Sequence, residues 1–204
     1  MPVKRLFITG IGTGIGKTIV SAVLTEKLKA DYWKPVQSGD LEDSDTLKVK
    51  SLISNDKTIF HRETYRLTQP YSPHKSAAID GISIDEAKFT LPKTENKLII
   101  EGAGGLMVPL NDHFLMIDLI KQLNVSVILV SQNYLGSINH TLLSAEIFKK
   151  YHIDIAGIIF NGKTDLDSEQ YILQYTGLKL LGRLPEFEAL NKASIIEAGS
   201  YITL

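Results

Sequence analysis

Apolar residues arrive along this chain in short, nearly unbroken runs: "RLFIT" (Arg5 to Thr9), "YWKPV" (Tyr32 to Val36), "KLIIE" (Lys97 to Glu101), "VSVILVS" (Val125 to Ser131), "IAGIIF" (Ile155 to Phe160) and "LKLLGRL" (Leu178 to Leu184). An extended segment that is apolar at successive positions is apolar on both faces, the pattern of strands covered on both sides. Between these runs, Lys17 to Leu28, Met116 to Leu123, Ser137 to Lys150 and Asp167 to Tyr175 repeat apolar residues at intervals of three and four, which predicts amphipathic helices. Alternating strands and helices predict a three-layer α/β fold, a mostly parallel β-sheet flanked by helices. Ser54 to Lys97 departs from the pattern, being richer in Thr, Lys, Asp and Pro with a turn signal at "TQPYSPH" (Thr68 to His74), and reads as a lid or substrate-side insertion.

Length and composition narrow the classes. A chain of 204 residues is expected to fold as one domain, 1–204, burying roughly 70 % of its unfolded surface. A net charge of −1 without a long Lys/Arg block gives no electrostatic footprint for nucleic acid or an anionic membrane, so neither partner is expected. The lack of cysteine removes disulfides, thiolate metal sites and thiol nucleophiles, and fits a reducing compartment. The N-terminus "MPVKRLF" starts basic, but the apolar run behind it is broken by Gly10, Gly12 and Gly14, unlike a signal-peptide core. "VSVILV" is too short to span a bilayer. A cytoplasmic protein is expected.

The first strand runs into "TGIGTGIGKT", Thr9 to Thr18, where a glycine-rich turn meets Lys-Thr at the start of a helix. Such a turn gathers backbone N–H groups and the positive end of a helix around one point, which suits a polyphosphate. Lys17 would reach the terminal phosphates and Thr18 a magnesium ion. Five residues, not the usual four, separate Gly10 from Gly16, so this is a variant P-loop and the sheet is expected to be of P-loop NTPase type. A G-x-G-x-x-G dinucleotide fingerprint fails in both frames, at Ile15 and at Lys17. Glycines cost about 1 kcal/mol each in lost order relative to alanine, which argues against four of them serving packing alone.

A nucleotide-bound magnesium takes a loop hydroxyl and one or two carboxylates, with water and phosphate completing its shell. Glu101 closes a strand and precedes "GAGG" (Gly102 to Gly105), so its carboxylate is expected beside the P-loop. Asp45, in "DLEDSD", is the second candidate, with a solvated acidic loop as the competing reading. In "WKPVQSG", Lys34 sits inside a strand fit for burial, which costs desolvation unless something anionic meets it. It reads as a second cation facing the transferred phosphate, against a lysine that snorkels at a sheet edge.

Taken in order, "TGIGTGIGKT", "YWKPVQSG", "SPH", "EGAGG", "LGSINH" and "GIIFNG" resemble the dethiobiotin synthetase family along essentially the entire chain. The resemblance implies an ATP- and Mg²⁺-dependent ligase: 7,8-diaminopelargonic acid captures CO2 (bicarbonate in solution) as a carbamate, the carbamate takes the γ-phosphoryl group, and the second amine displaces phosphate to close a ureido ring. It implies that Thr13, Gly14, Ile15, Gly16, Lys17, Thr18 and Ile19 bind the nucleotide with Asp45, Glu101, Gly102, Ala103 and Gly104. Thr18, Asp45 and Glu101 surround Mg²⁺ by the same match, Lys17 and Lys34 are catalytic, and Ser38 contacts the substrate. Asn161 and Gly162, with Pro185, Glu186 and Phe187, are implied at the adenine. It implies a homodimer in which Gly136, Ser137, Ile138 and Asn139 hold the substrate carboxylate of the partner subunit's site, a role suited to a helix start. Gly14 and Gly162 occupy positions where acidic residues are common in the family.

Two other classes share parts of this pattern. Partitioning and division-site ATPases carry a lysine in K-G-G-x-G-K-T, and here that slot is Gly12. A small-molecule kinase would share Lys17, Thr18, Asp45 and Glu101, and differs only in its product. The histidines, His61, His74, His113, His140 and His152, show no metal-ligand spacing and read as surface or polar core.

Overall fold

A computed structural model describes residues 5–204, so Met1 to Lys4, the basic start of the chain, lie outside the described residues. In chain order the elements are β1 (Arg5–Gly10), α1 (Lys17–Leu28), β2 (Asp31–Trp33), β3 (Val36–Ser38), α2 (Asp45–Leu52), β4 (Phe60–His61), β5 (Tyr65–Leu67), α3 (Pro73–Ile79), β6 (Leu98–Gly105), α4 (Met116–Leu123), β7 (Ser126–Gln132), α5 (Ser137–Tyr151), β8 (Ile155–Asn161), α6 (Leu166–Thr176), β9 (Leu180–Leu184) and α7 (Lys192–Ala198). Seven strands form one sheet in the order β4-β2-β6-β1-β7-β8-β9, with every strand pair parallel. The predicted three-layer α/β architecture is the one observed.

The double-sided runs explain the layers, because successive strand residues face opposite ways. Phe7, Leu98, Ile100, Val127, Leu129, Ile158 and Phe160 pack into one core with residues of α3, α4, α5 and α6. Their neighbours Leu6, Ile8, Ile99, Ile128, Val130 and Ile159 pack on the other face with α1, α2 and α7. β1 lies between β6 and β7. The chain leaves β1 toward β2 on one side and later crosses from β6 to β7 on the other, and this reversal opens a crevice at the carboxyl ends of the central strands.

Two expectations are corrected. The predicted strand Tyr32 to Val36 is two strands in two sheets. Pro35 has no N–H to continue a ladder, and its carbonyl accepts from the N–H groups of Thr64 and Tyr65 at 3.0 and 3.1 Å. The chain therefore leaves the main sheet at Lys34 and pairs as β3 with β5. The stretch Ser54 to Lys97 is not wholly an insertion, since β4 is the edge strand of the main sheet. It is tied down by Asp31, a fully buried carboxylate that accepts from the Ile59 N–H at 3.0 Å, the Thr94 hydroxyl at 2.6 Å and the Asn96 amide at 3.2 Å, with the His61 ring at 3.3 Å.

The far end of α1 is also anchored. Lys27 donates to the carbonyls of Gly199 and Ile202 at 2.6 and 2.7 Å, and Ile202 bridges to Gly182 of β9. No helix of the described residues is long and apolar enough to cross a membrane.

Candidate active site

The loop from Gly10 to Gly16 bends through two left-handed glycines, Gly14 (φ 74) and Gly16 (φ 93), conformations that side chains disfavour. Gly16 also lies so close to Asn161 that a Cβ there would run into its amide. Gly16 is the N-cap of α1, gives it no side-chain cap, and no acidic residue occupies the first turn. The free N–H groups of that turn therefore remain available to an anion, with the helix dipole behind them. Lys17 is buried and donates to the Gly12 carbonyl at 2.6 Å. Burial, with the Lys34 charge adding to it, lowers its pKa to about 8 against the opposing pull of Glu101 and Asp45.

Beside this loop three side chains converge on one carboxylate. Glu101, 1 % exposed, accepts from the Thr18 hydroxyl at 2.9 Å on Oε1 and from the Tyr32 phenol at 2.9 Å on Oε2. Lys34 lies 3.2 Å from Oε1 and 2.6 Å from Asp45 Oδ2, bridging the two carboxylates. Burial works against the Lys34 ammonium, but Glu101 and Asp45 more than offset it and its pKa is raised. Burial likewise opposes the Asp45 carboxylate, and Lys34 outweighs it and holds the pKa below the ordinary value. Burial, then Glu101, drives the Tyr32 phenol well above its usual value. Asp45 is set by α2, whose N-cap Ser44 accepts from the Leu47 N–H, and the Asp45 N–H donates to Gln37 Oε1 at 3.3 Å.

These residues wall a cleft of about 820 Å³. The lining comprises the phosphate loop (Thr13, Gly14 and Gly16 to Ile19), Lys34, Asp45 and Glu101 to Gly104, Gln37 and Ser38 of β3 with Asp40 just beyond it, and Pro70, Tyr71, Ser72 and Pro73 at the start of α3. The Ser38 hydroxyl is buried and has no hydrogen-bond partner among the described residues. Two lysines and a helix start, with polar residues such as Gln37 and Ser38 in the same lining, suit a polyphosphate joined to a smaller polar substrate. The donor set of Thr18, Asp45 and Glu101 is all oxygen, which fits a hard cation such as magnesium. Among the described residues no three His, Cys, Asp or Glu side chains cluster as a metal site, so a cation here would draw most of its shell from phosphate and water.

Comparisons with known proteins agree with that geometry. Residues 4–194 match a family described as an AAA domain. The ATP-dependent dethiobiotin synthetase of Christiangramia forsetii is 53 % identical over 183 residues, covering 90 % of this chain and 88 % of that protein. The enzyme of that name from Cytophaga hutchinsonii is 50 % identical, covering 93 % and 92 %. The chain belongs to the dethiobiotin synthetase family. Among solved structures, a ParA family ATPase from Chlorobium tepidum superposes with a TM-score of 0.60 at 13 % identity over 98 % of this chain and 100 % of that one. The Pyrococcus furiosus cell division ATPase MinD gives 0.60 at 12 % over 97 % and 98 %. At such identities the likeness is one of fold, the P-loop ATPase architecture.

Against that family pattern, the structure gathers most but not all of the sequence-predicted residues. Ile15 is buried beneath the loop. Asn161, expected at the base, donates through its amide to the Ile15 carbonyl at 3.1 Å and so braces the phosphate loop. Gly162 bonds to the Leu184 carbonyl at 2.8 Å, next to exposed Pro185 and Glu186 and half-buried Phe187, and none of these lines the cleft. Gly136 to Asn139 form the start of α5, also outside the cleft, beside the exposed Tyr134 and fully exposed Leu135. His74 is exposed and pairs with the Ser72 hydroxyl at 3.1 Å. Tyr32, Gln37, Asp40, Lys48 and Tyr71 were not singled out in the sequence. Tyr32 carries a readable signal: it precedes Lys34 by two residues in a run that reads as one strand, which in that reading puts both on one face.

Proposed function

We infer that this chain is an ATP-dependent dethiobiotin synthetase, a single ligase domain of biotin biosynthesis. Near-full-length relatives bearing that name support the activity. The observation that carries the mechanism is Lys34, a buried second lysine held between Asp45 and Glu101 at the phosphate-loop end of the cleft. A switch of the partitioning type carries its second lysine within the phosphate loop, where this chain has Gly12, whereas a cation supplied by Lys34 between two carboxylates suits transfer of a phosphoryl group to a carbamate.

One amine of 7,8-diaminopelargonic acid adds to CO2 and loses a proton, giving a carbamate. A carbamate oxygen attacks the γ-phosphorus and ADP departs; the second amine then attacks the carbamoyl carbon, inorganic phosphate departs, and the ureido ring closes. Lys17 and the free N–H groups of the first turn of α1 hold the phosphates and accept the charge that gathers on them. Lys34 can exchange one carboxylate contact for a carbamate or phosphoryl oxygen and remain paired throughout, which keeps a buried ammonium from being stranded. The unpaired Ser38 hydroxyl is the group we assign to the diamine end. Thr18, Asp45 and Glu101 would hold magnesium, which when bound neutralises β- and γ-phosphate charge.

The reading includes a homodimer in the cytoplasm. The start of α5, with Gly136 and Asn139 exposed and no side-chain cap, lies outside its own cleft and suits the substrate carboxylate of a partner's site. The deciding assay is phosphate release with ATP and magnesium, omitting diamine or bicarbonate in turn. Release that needs both, with dethiobiotin as product, is the expected result; release with the diamine alone and a stable phosphorylated product would replace the ligase with a kinase.

A further inference from the structure

Tyr32 is as deeply buried as any residue in the molecule, and in a sequence such a tyrosine reads as core. Its phenol does more than fill space. In the pairing of β2 with β6, Tyr32 stands opposite Ile99, and Glu101 lies two residues beyond Ile99, hence on the same face. Lys34 lies two residues beyond Tyr32 and comes back to that same side. The two residues thus reach one carboxylate from a single stretch of chain, Tyr32 at Oε2 (2.9 Å) and Lys34 at Oε1 (3.2 Å).

We propose that Tyr32 is a positioning residue for Glu101, fixing its Oε2 so that Oε1 is the oxygen presented to Thr18, Lys34 and a nucleotide-bound magnesium. The proposal rests on the reading of Glu101 as a metal-facing carboxylate. The terminal torsion of a glutamate is broad, so packing alone leaves the plane of the carboxylate free to swing. With the phenol bonded to one oxygen, turning that plane away strands a buried O–H, and buried tyrosine hydroxyls are normally paired. The Tyr32 ring itself packs against Phe60 at 5.8 Å between centroids, a contact that phenylalanine would keep. The hydroxyl is therefore separable from the packing.

The test is Tyr32→Phe in the full chain, with a thermal melt to verify folding, measured for its magnesium dependence in two ways: the midpoint of turnover at saturating ATP, and calorimetric binding of ADP with and without magnesium. Loss of a residue that orients a metal ligand typically weakens metal affinity 10–100-fold. We expect the low end, about a tenfold rise in the magnesium midpoint, because Thr18 and Lys34 still hold Oε1. ADP binding without magnesium should be unchanged. In a Glu101→Gln background the Tyr32→Phe change should add nothing, since Tyr32 acts only through that carboxylate. Parental magnesium dependence in Tyr32→Phe, while Glu101→Gln shifts it, overturns the role of Tyr32 and leaves Glu101 as assigned. A shift of equal size in both backgrounds means that Tyr32 acts by packing and also overturns it. Should Glu101→Gln leave the magnesium titration untouched, the metal reading of Glu101 falls first and the Tyr32 proposal with it.

Discussion

Replacing Lys34 by glutamine removes the charge that holds Asp45 and Glu101 together, and the structure sets the size of the effect. At contacts of 2.6 and 3.2 Å and an effective dielectric constant near 20, each ion contact is gross about 5–6 kcal/mol. Desolvation of three ionised groups offsets most of that sum, and removing one partner of a buried pair costs about 3–5 kcal/mol. The low end applies, because the Asp45 side chain keeps 26 % exposure and can hydrate, while Glu101 retains the Thr18 and Tyr32 hydroxyls. About 3 kcal/mol in a chain of this size lowers Tm by roughly 6–12 °C. Catalysis should suffer more: loss of one preorganised donor to developing negative charge lowers kcat about 10²–10³-fold. ATP affinity, set mainly by the phosphate loop, should change little. Calorimetry with ATP and phosphate release with diamine and bicarbonate, run on one preparation below the lowered Tm, separate the two effects. A variant that closes the ring at near-parental rate, or that loses ATP binding in proportion to kcat, refutes the assignment of Lys34 to the transferred group.

Lys17→Ala should lose turnover by about 10²–10³-fold with little change in melting temperature, since the side chain's one hydrogen bond is to its own loop at Gly12; a rate within threefold of the parent contradicts the phosphate-loop reading. Asp31→Asn should alter the acid limb of stability. Burial opposes the Asp31 carboxylate, but hydrogen bonds from Thr94, Ile59, Asn96 and His61 overcome it and depress its pKa. Its stabilisation is therefore present above the unfolded pKa near 3.9 and is lost as pH falls through the folded value. Circular dichroism of acid unfolding should show a shallower loss of stability below that pH in Asp31→Asn, and an identical slope removes Asp31 from the account. Leu135→Asp, at the fully exposed residue before the α5 start, should convert the proposed dimer to a monomer in sedimentation and abolish ring closure while ATP still binds. A monomeric variant with parental activity refutes the shared site.

The sheet, the loop and Glu101 were legible because each rests on local pattern: double-sided apolar runs, glycines ahead of Lys-Thr, and an acid at the end of a buried strand. What escaped was decided by contacts distant in sequence. Pro35 marks the break in Tyr32 to Val36, but the reason the chain turns there is the pair of N–H groups from Thr64 and Tyr65. In α2, "LKVK" alternates like a strand, and only Ser44 ahead of Asp45 signals a helix start. The Ser72-Pro73 step that opens α3 read as a turn for the same reason, since Ser-Pro begins both. Tyr32 looked like core because its acceptor is 69 residues away. Asn161 was assigned to the base by resemblance, and its bond to Ile15 could be seen only once β8 and the loop lay side by side.

Helix α1 is gripped at both tips. It starts at the loop that faces the cleft, and its other end is pinned by Lys27 to the carbonyls of Gly199 and Ile202, the second of which is bridged to Gly182 of β9. Its 12 residues make a stiff rod of about 18 Å, so strain applied to the final turn is delivered to the phosphate loop instead of dissipating in a flexible tail. Proteolytic trimming of 199–204 therefore removes both acceptors of Lys27 and frees one end of the helix whose other end carries the phosphate loop.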